Sequence, residues 1–122
     1  MFTAKSDPAI IASVIERASR LPREIGEKVL LDMVRYDTGR LATSFASLRV
    51  PMMAIQTTYS NERRERRSMR VGQTTPYLEM LRSSVPAIRI EIIPNIGHFP
   101  QINASAQTNA SLEDFIGALP VS

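Results

Sequence analysis

The only histidine of the chain, His98, sits in Ile88-Arg89-Ile90-Glu91-Ile92-Ile93-Pro94-Asn95-Ile96-Gly97-His98-Phe99-Pro100-Gln101. Its imidazole titrates nearest neutrality of all side chains, so it can take a proton and return it at working pH. The β-branched run before it stops at Pro94, a short turn with Gly97 follows, and a helical pattern begins a few residues later. That layout places His98 on the loop past a strand's carboxyl end, where open α/β sheets bind ligands and hold reacting groups. The same position suits a hydrogen-bonded structural histidine. No cysteine is present, and one histidine without a second His or any Cys gives no transition-metal set. The sequence therefore gives no reason to expect a transition metal.

The elements around His98 can be read from caps and periodicity. Asp7-Pro8 opens a helix, with Asp as N-cap and Pro at the first position. Ile10, Ile11, Val14, Ile15 and Ala18 recur at helical spacing, which predicts a helix near 8–20. Pro22 ends it and opens a second near 23–36, with Ile25, Val29, Met33 and Tyr36 on one face and Asp37-Thr38-Gly39 as the turn after it. A short helix near 40–48 carries Leu41, Phe45 and Leu48. Val50 to Thr57 is an apolar run of the kind found in parallel strands buried on both faces. Thr75-Pro76 caps a helix near 76–84 with Tyr77, Leu78, Met80 and Leu81 on or beside its inner face. A second parallel strand follows near 88–94, then a helix near 104–118 capped by Asn103, with Leu112, Phe115, Ile116 and Leu119 inward.

From Val50 to Leu119 this order resembles the C-terminal end of the α/β-hydrolase fold family. The pieces are Leu-Arg-Val-Pro-Met-Met-Ala-Ile-Gln, Thr-Pro-Tyr-Leu-Glu-Met-Leu, the Gly-His-Phe turn after the last strand, and Asn-Ala-Ser-Leu-Glu-Asp-Phe-Ile. The resemblance implies a partial α/β-hydrolase fold, with two parallel C-terminal strands, flanking helices and preceding cap-type helices. Residues 1–36 would be the end of a helical cap and 37–122 the end of the core. His98 would be the general base of a catalytic triad acting on a small-molecule substrate, with no cofactor. Met33, Tyr36 and Phe45 could touch a ligand if the cap lines a pocket, or serve as ordinary core residues.

The rest of the family's machinery is missing. Its nucleophile lies in Gly-x-Ser-x-Gly, yet no two of Gly26, Gly39, Gly72, Gly97 and Gly117 are four apart. The glycine cluster of the oxyanion loop is absent as well. Where many members carry Gly-x-x-Asp after the Val-Pro strand, this chain has Thr57, Thr58, Tyr59 and Ser60. A serine supplies no negative charge for an imidazolium, and Glu62 is the nearest substitute. Tyr59, Ser60, Glu62 and Phe99 are therefore the candidate acid-loop or pocket residues beside His98. A histidine without nucleophile or oxyanion hole does not perform the reaction, because a triad acts as a unit. The expectation is a C-terminal portion that is inactive alone. It would bind a missing N-terminal half or self-associate through the open edge of the Val50 strand. A non-catalytic remnant working as an interaction protein is the alternative.

Composition narrows the remaining classes. A hydrophobic content of 43% over 122 residues fits one ordinary globular domain. Glu62 to Arg70 holds five arginines against two glutamates, an excess equal to the net charge of +3 of the whole chain. A nucleic-acid module built on Arg63, Arg64, Arg66, Arg67 and Arg70 is conceivable, but Glu62 and Glu65 interrupt the run and no stacking aromatic lies inside it. The expectation is an exposed helix or loop with no nucleic-acid role. No segment has signal-peptide character or nears the roughly 18 apolar residues of a membrane span. The expected setting is cytoplasmic, without membrane contact.

Overall fold

In the computed structural model, residues 2–3 and 6–120 are described, so Met1, Ala4 and Lys5 of the N-terminal stretch lie outside them. The fold is mixed α/β, with a two-stranded parallel sheet and a separate antiparallel pair. Helix α1 spans Pro8–Ser19, α2 Arg23–Gly39 and α3 Leu41–Ala46. Strands β1 (Met53–Gln56), β2 (Thr58–Ser60) and β3 (Arg66–Ser68) precede helix α4 (Pro76–Ser84). Strand β4 (Arg89–Ile92) leads to α5 (Pro100–Asn103) and α6 (Ser105–Gly117).

Two of the expected caps form. The Asp7 carboxylate accepts the Ala9 N–H at 2.7 Å, and Pro8 fixes φ in the first turn of α1. The Thr75 hydroxyl accepts the Leu78 N–H at 3.2 Å ahead of Pro76, which starts α4. Asn103 does not cap α6. It ends the short α5, and α6 begins behind Ala104 without a side-chain cap. Helix α2 also carries through the expected turn at Asp37-Thr38-Gly39. Its i,i+4 pairs Arg23–Glu27 and Lys28–Asp32 support an exposed helix, and the Arg40 N–H still reaches the Tyr36 carbonyl at 2.8 Å.

The two apolar runs pair in parallel, in the register Met53↔Arg89 to Gln56↔Ile92. The first strand starts at Met53 rather than Val50, because Pro51 has no N–H to give a ladder and holds Val50 outside it. All eight strand residues are half-buried, not enclosed as expected, since no third strand joins the sheet among the described residues. The core lies between the sheet, α4 and the hairpin. Met69, Leu78 and Leu81 are fully buried, and Phe45, Met52, Ala54, Ile88, Ile90 and Ile92 pack on them. Tyr77, expected on or beside the inner face of α4, is 42% exposed.

The antiparallel hairpin is the main departure from the sequence reading. β2 and β3 pair Thr58↔Ser68, Tyr59↔Arg67 and Ser60↔Arg66, so the basic run is a turn and a strand rather than a solvated helix or loop. Asn61 builds the turn: its side-chain oxygen accepts the N–H groups of Arg63 and Glu65 at 3.0 and 2.9 Å. Arg64 occupies the left-handed region at φ 60°. Arg63, Arg64, Arg67 and Arg70 are exposed as expected, but Arg66 is half-buried and Met69 completely buried. Met69 ties the layers together, donating to the Thr57 carbonyl at 2.7 Å and accepting from the Asn95 N–H at 3.0 Å.

Apolar surface is left bare elsewhere. Neither α1 nor α2 contains a buried residue, and Ile25, Val29, Leu30, Leu31, Met33 and Val34 of α2 are all exposed. In α6 the buried positions are Thr108 and Ser111, while Leu112 and Ile116, expected inward, face solvent. Phe115 and Leu119, also expected inward, are half-buried on the same side as Thr108 and Ser111.

Candidate functional site around His98

The backbone between β4 and α5 sets the position of His98. Asn95 turns the chain at φ 61°, and the Ile93 N–H donates to the Gln56 carbonyl at 3.1 Å, extending the ladder past β4. Gly97 is buried where a Cβ would lie 3.0 Å from the Asn103 side-chain oxygen and 3.1 Å from the Ser6 hydroxyl. Close approach, rather than left-handed φ, accounts for glycine there. His98 thus leaves the carboxyl end of a parallel strand, beside the carboxyl end of its neighbour, as the sequence reading expects.

Its contacts differ from those of a triad. Nδ1 lies 3.1 Å from the hydroxyl of Thr58, which is buried at the start of β2. The same hydroxyl accepts a long bond from Arg66 Nη1 at 3.4 Å. A guanidinium only donates. The Thr58 hydroxyl can donate to Nδ1 of a neutral ring protonated on Nε2, or accept from Nδ1–H beside the Arg66 bond; the tautomer decides which. In a triad a carboxylate accepts from Nδ1–H and Nε2 is the free base. Here the imidazole is linked through a hydroxyl to a cation, which opposes imidazolium formation.

The other candidates are dispersed. Phe99 meets the His98 ring edge-on, with centroids 5.3 Å apart, and its own ring lies 6.4 Å from that of Phe2. Tyr59 is half-buried in β2, Ser60 ends that strand in solvent, and Glu62 is exposed on the hairpin turn. Tyr59, Ser60 and Glu62 line a cleft of about 570 Å³ with Gln73 and Thr74, which His98 does not line. Neither Ser60 nor Glu62 is hydrogen-bonded or ion-paired to His98 among the described residues. Met33 and Tyr36 are exposed and Phe45 packs on the core. Thr58 and Arg66 are the site residues the sequence reading missed as partners of His98. Forty residues separate Thr58 from His98; the parallel β1–β4 register brings the two strand ends together, and the hairpin adds Arg66.

Burial holds the His98 pKa below its ordinary value, and the Arg66 guanidinium pushes it in the same direction. The folded state therefore resists a proton that the unfolded chain accepts near pH 6.5. Stability from this site is complete above that pH and is lost as pH falls through the depressed folded value. Because His98 is the only histidine, one proton NMR titration reads it without assignment. The expected midpoint lies below 6.5 and moves upward in Arg66→Gln. A midpoint at or above 6.5, or a downward move in that variant, contradicts the Thr58–Arg66 arrangement.

Among the described residues, no group of three or more His, Cys, Asp or Glu could hold a metal ion, and no helix is long and apolar enough to cross a membrane. No protein-family model, curated protein or solved structure matches the chain.

Proposed function

We propose that this chain is the C-terminal portion of an α/β-hydrolase-type protein, supplying the histidine of a nucleophile-dependent hydrolysis and inactive alone. The observation that carries this reading is His98 on the loop leaving β4, with β1 parallel beside it and the Met69–Asn95 bond bracing the loop. In the complete protein, α1 and α2 are the end of a cap and the outer edge of β1 pairs with an earlier strand. The missing half brings the serine, the oxyanion hole and the acid. Its carboxylate must displace the Thr58 hydroxyl from Nδ1 so that Nε2 can accept the serine proton. The test is complementation: mixing the chain with an N-terminal half that carries Gly-x-Ser-x-Gly should produce ester turnover absent from either part. No turnover from a stable complex of the two would sink the reading.

The second reading, a non-catalytic interaction protein, is favoured by one observation, the cation-linked Thr58 in place of a carboxylate at His98. Both readings require a cover for the bare face of α2. Light scattering on the purified chain should show self-association. A cooperatively unfolding monomer that binds no apolar dye would mean that the chain closes its own core.

A further inference from the structure

The hairpin presents a second feature, independent of the hydrolase reading. A cleft of about 400 Å³ is lined by Arg66, Arg67 and Arg70 together with Tyr59, Asn61, Ser68 and Thr3. We propose that it binds one compact oxyanion, the phosphate or carboxylate group of a small molecule, held by these three arginines. The volume falls within the roughly 300–1,000 Å³ of small-molecule sites. Three cations line it and no carboxylate does.

The arginines differ in how far they are engaged. Arg67 is paired with Glu65 at 2.6 Å, at the rim. Arg66 and Arg70 make no ion pair among the described residues. Of the five donors of Arg66, one makes the long bond to Thr58, and Nε is buried with no acceptor. A buried Nε without a partner is costly to leave so, and an oxyanion is the acceptor whose geometry matches the guanidinium fork. Arg66 and Arg67 lie on β3, and Arg70 follows two residues past its end, next to the buried Met69. A long polyanion fits less well, because Glu62 and Glu65 stand on the turn beside the cleft and Tyr59 is its one aromatic side chain.

Calorimetric titration of the full chain with inorganic phosphate, and separately with acetate, tests the site at physiological ionic strength. One saturable site is expected, at millimolar affinity. The tighter of the two anions identifies the group preferred. Arg66→Gln and Arg70→Gln should each weaken binding about tenfold or more, as loss of a charge-assisted bond implies. Arg64→Gln removes the same charge from the turn, outside the cleft, and should leave affinity within about twofold. Arg70 is exposed, so its variant keeps the test decisive if Arg66→Gln disturbs the hairpin. Absence of saturation for both anions by about 50 mM overturns the proposal, as does equal weakening by Arg64→Gln. So does an oligothymidylate bound tighter than about micromolar with steep salt dependence, which would make the patch a nucleic-acid surface.

Discussion

His98→Ala should lower ester turnover of the complemented protein by on the order of 10⁴-fold or more, with little change in KM. The magnitude follows from what the imidazole does. On the proposed reading it would remove the serine proton in one step and deliver it to the leaving group in the next, and no other side chain among the described residues at this loop has an ordinary pKa near neutrality. Substrate contacts made by the oxyanion hole and pocket are untouched, so binding survives while chemistry stops. The isolated chain should hydrolyse activated esters no faster than free imidazole, since it lacks both an elbow and an oxyanion hole. Equal turnover of the complemented wild-type and His98→Ala proteins would take this residue out of the mechanism. Turnover by the isolated chain that vanishes in the variant would make His98 itself, or a neighbour it activates, the nucleophile. The contact of His98 with Thr58 adds a corollary. Complementation should move the His98 titration upward, because an acid from the other half replaces a cation-linked hydroxyl.

Leu81→Ala should destabilise the chain by about 2–5 kcal/mol, read from urea unfolding followed by circular dichroism. Only four apolar residues, Met69, Leu78, Leu81 and Ile93, are nearly or fully buried among the described residues, so each bears a large share of the packing. Leu78 and Leu81 lie one turn apart on α4 and fill the space between that helix, the sheet and Met69. A domain of this size has about 5–15 kcal/mol of stability in all, and a small core places it at the lower end. The truncation therefore removes a large fraction of the total. Ile116→Ala is the control. That side chain is 64% exposed, and its loss should cost no more than about 0.5 kcal/mol. Equal effects of the two substitutions would mean that the core does not lie under α4.

Elements with strong local signals were readable from the chain. Asp7-Pro8 and Thr75-Pro76 act through neighbouring backbone groups, and both cap their helices as the residue types demand. The two apolar runs became the parallel pair because apolar content and length both favour strands there. The hairpin was hidden because Arg66-Arg67-Ser68 has no apolar alternation; what forms it is the Asn61 turn and the burial of Met69. Asn61 beside a run of charged residues was the one available signal. The inward face of α6 was legible only in part: Phe115 and Leu119 are half-buried, while Leu112 and Ile116 are exposed. Periodicity finds the apolar stripe, but which stripe turns inward depends on what it meets, and here Thr108 and Ser111 are the residues covered. The position of His98 was legible because it depends on strand end and turn. Its partner was not, since Thr58 lies forty residues away and meets it only through the tertiary pairing of β1 with β4.

The bare apolar face of α2 has a consequence for the amount of this chain in a cell. Chaperones and proteases act on exposed nonpolar surface. Copies that find no cover are held back or destroyed, and copies that find one persist. Abundance would then follow that of the covering surface rather than the rate of synthesis. Overproduction alone would yield inclusion bodies, whereas co-production with the right partner would raise the recoverable level of both.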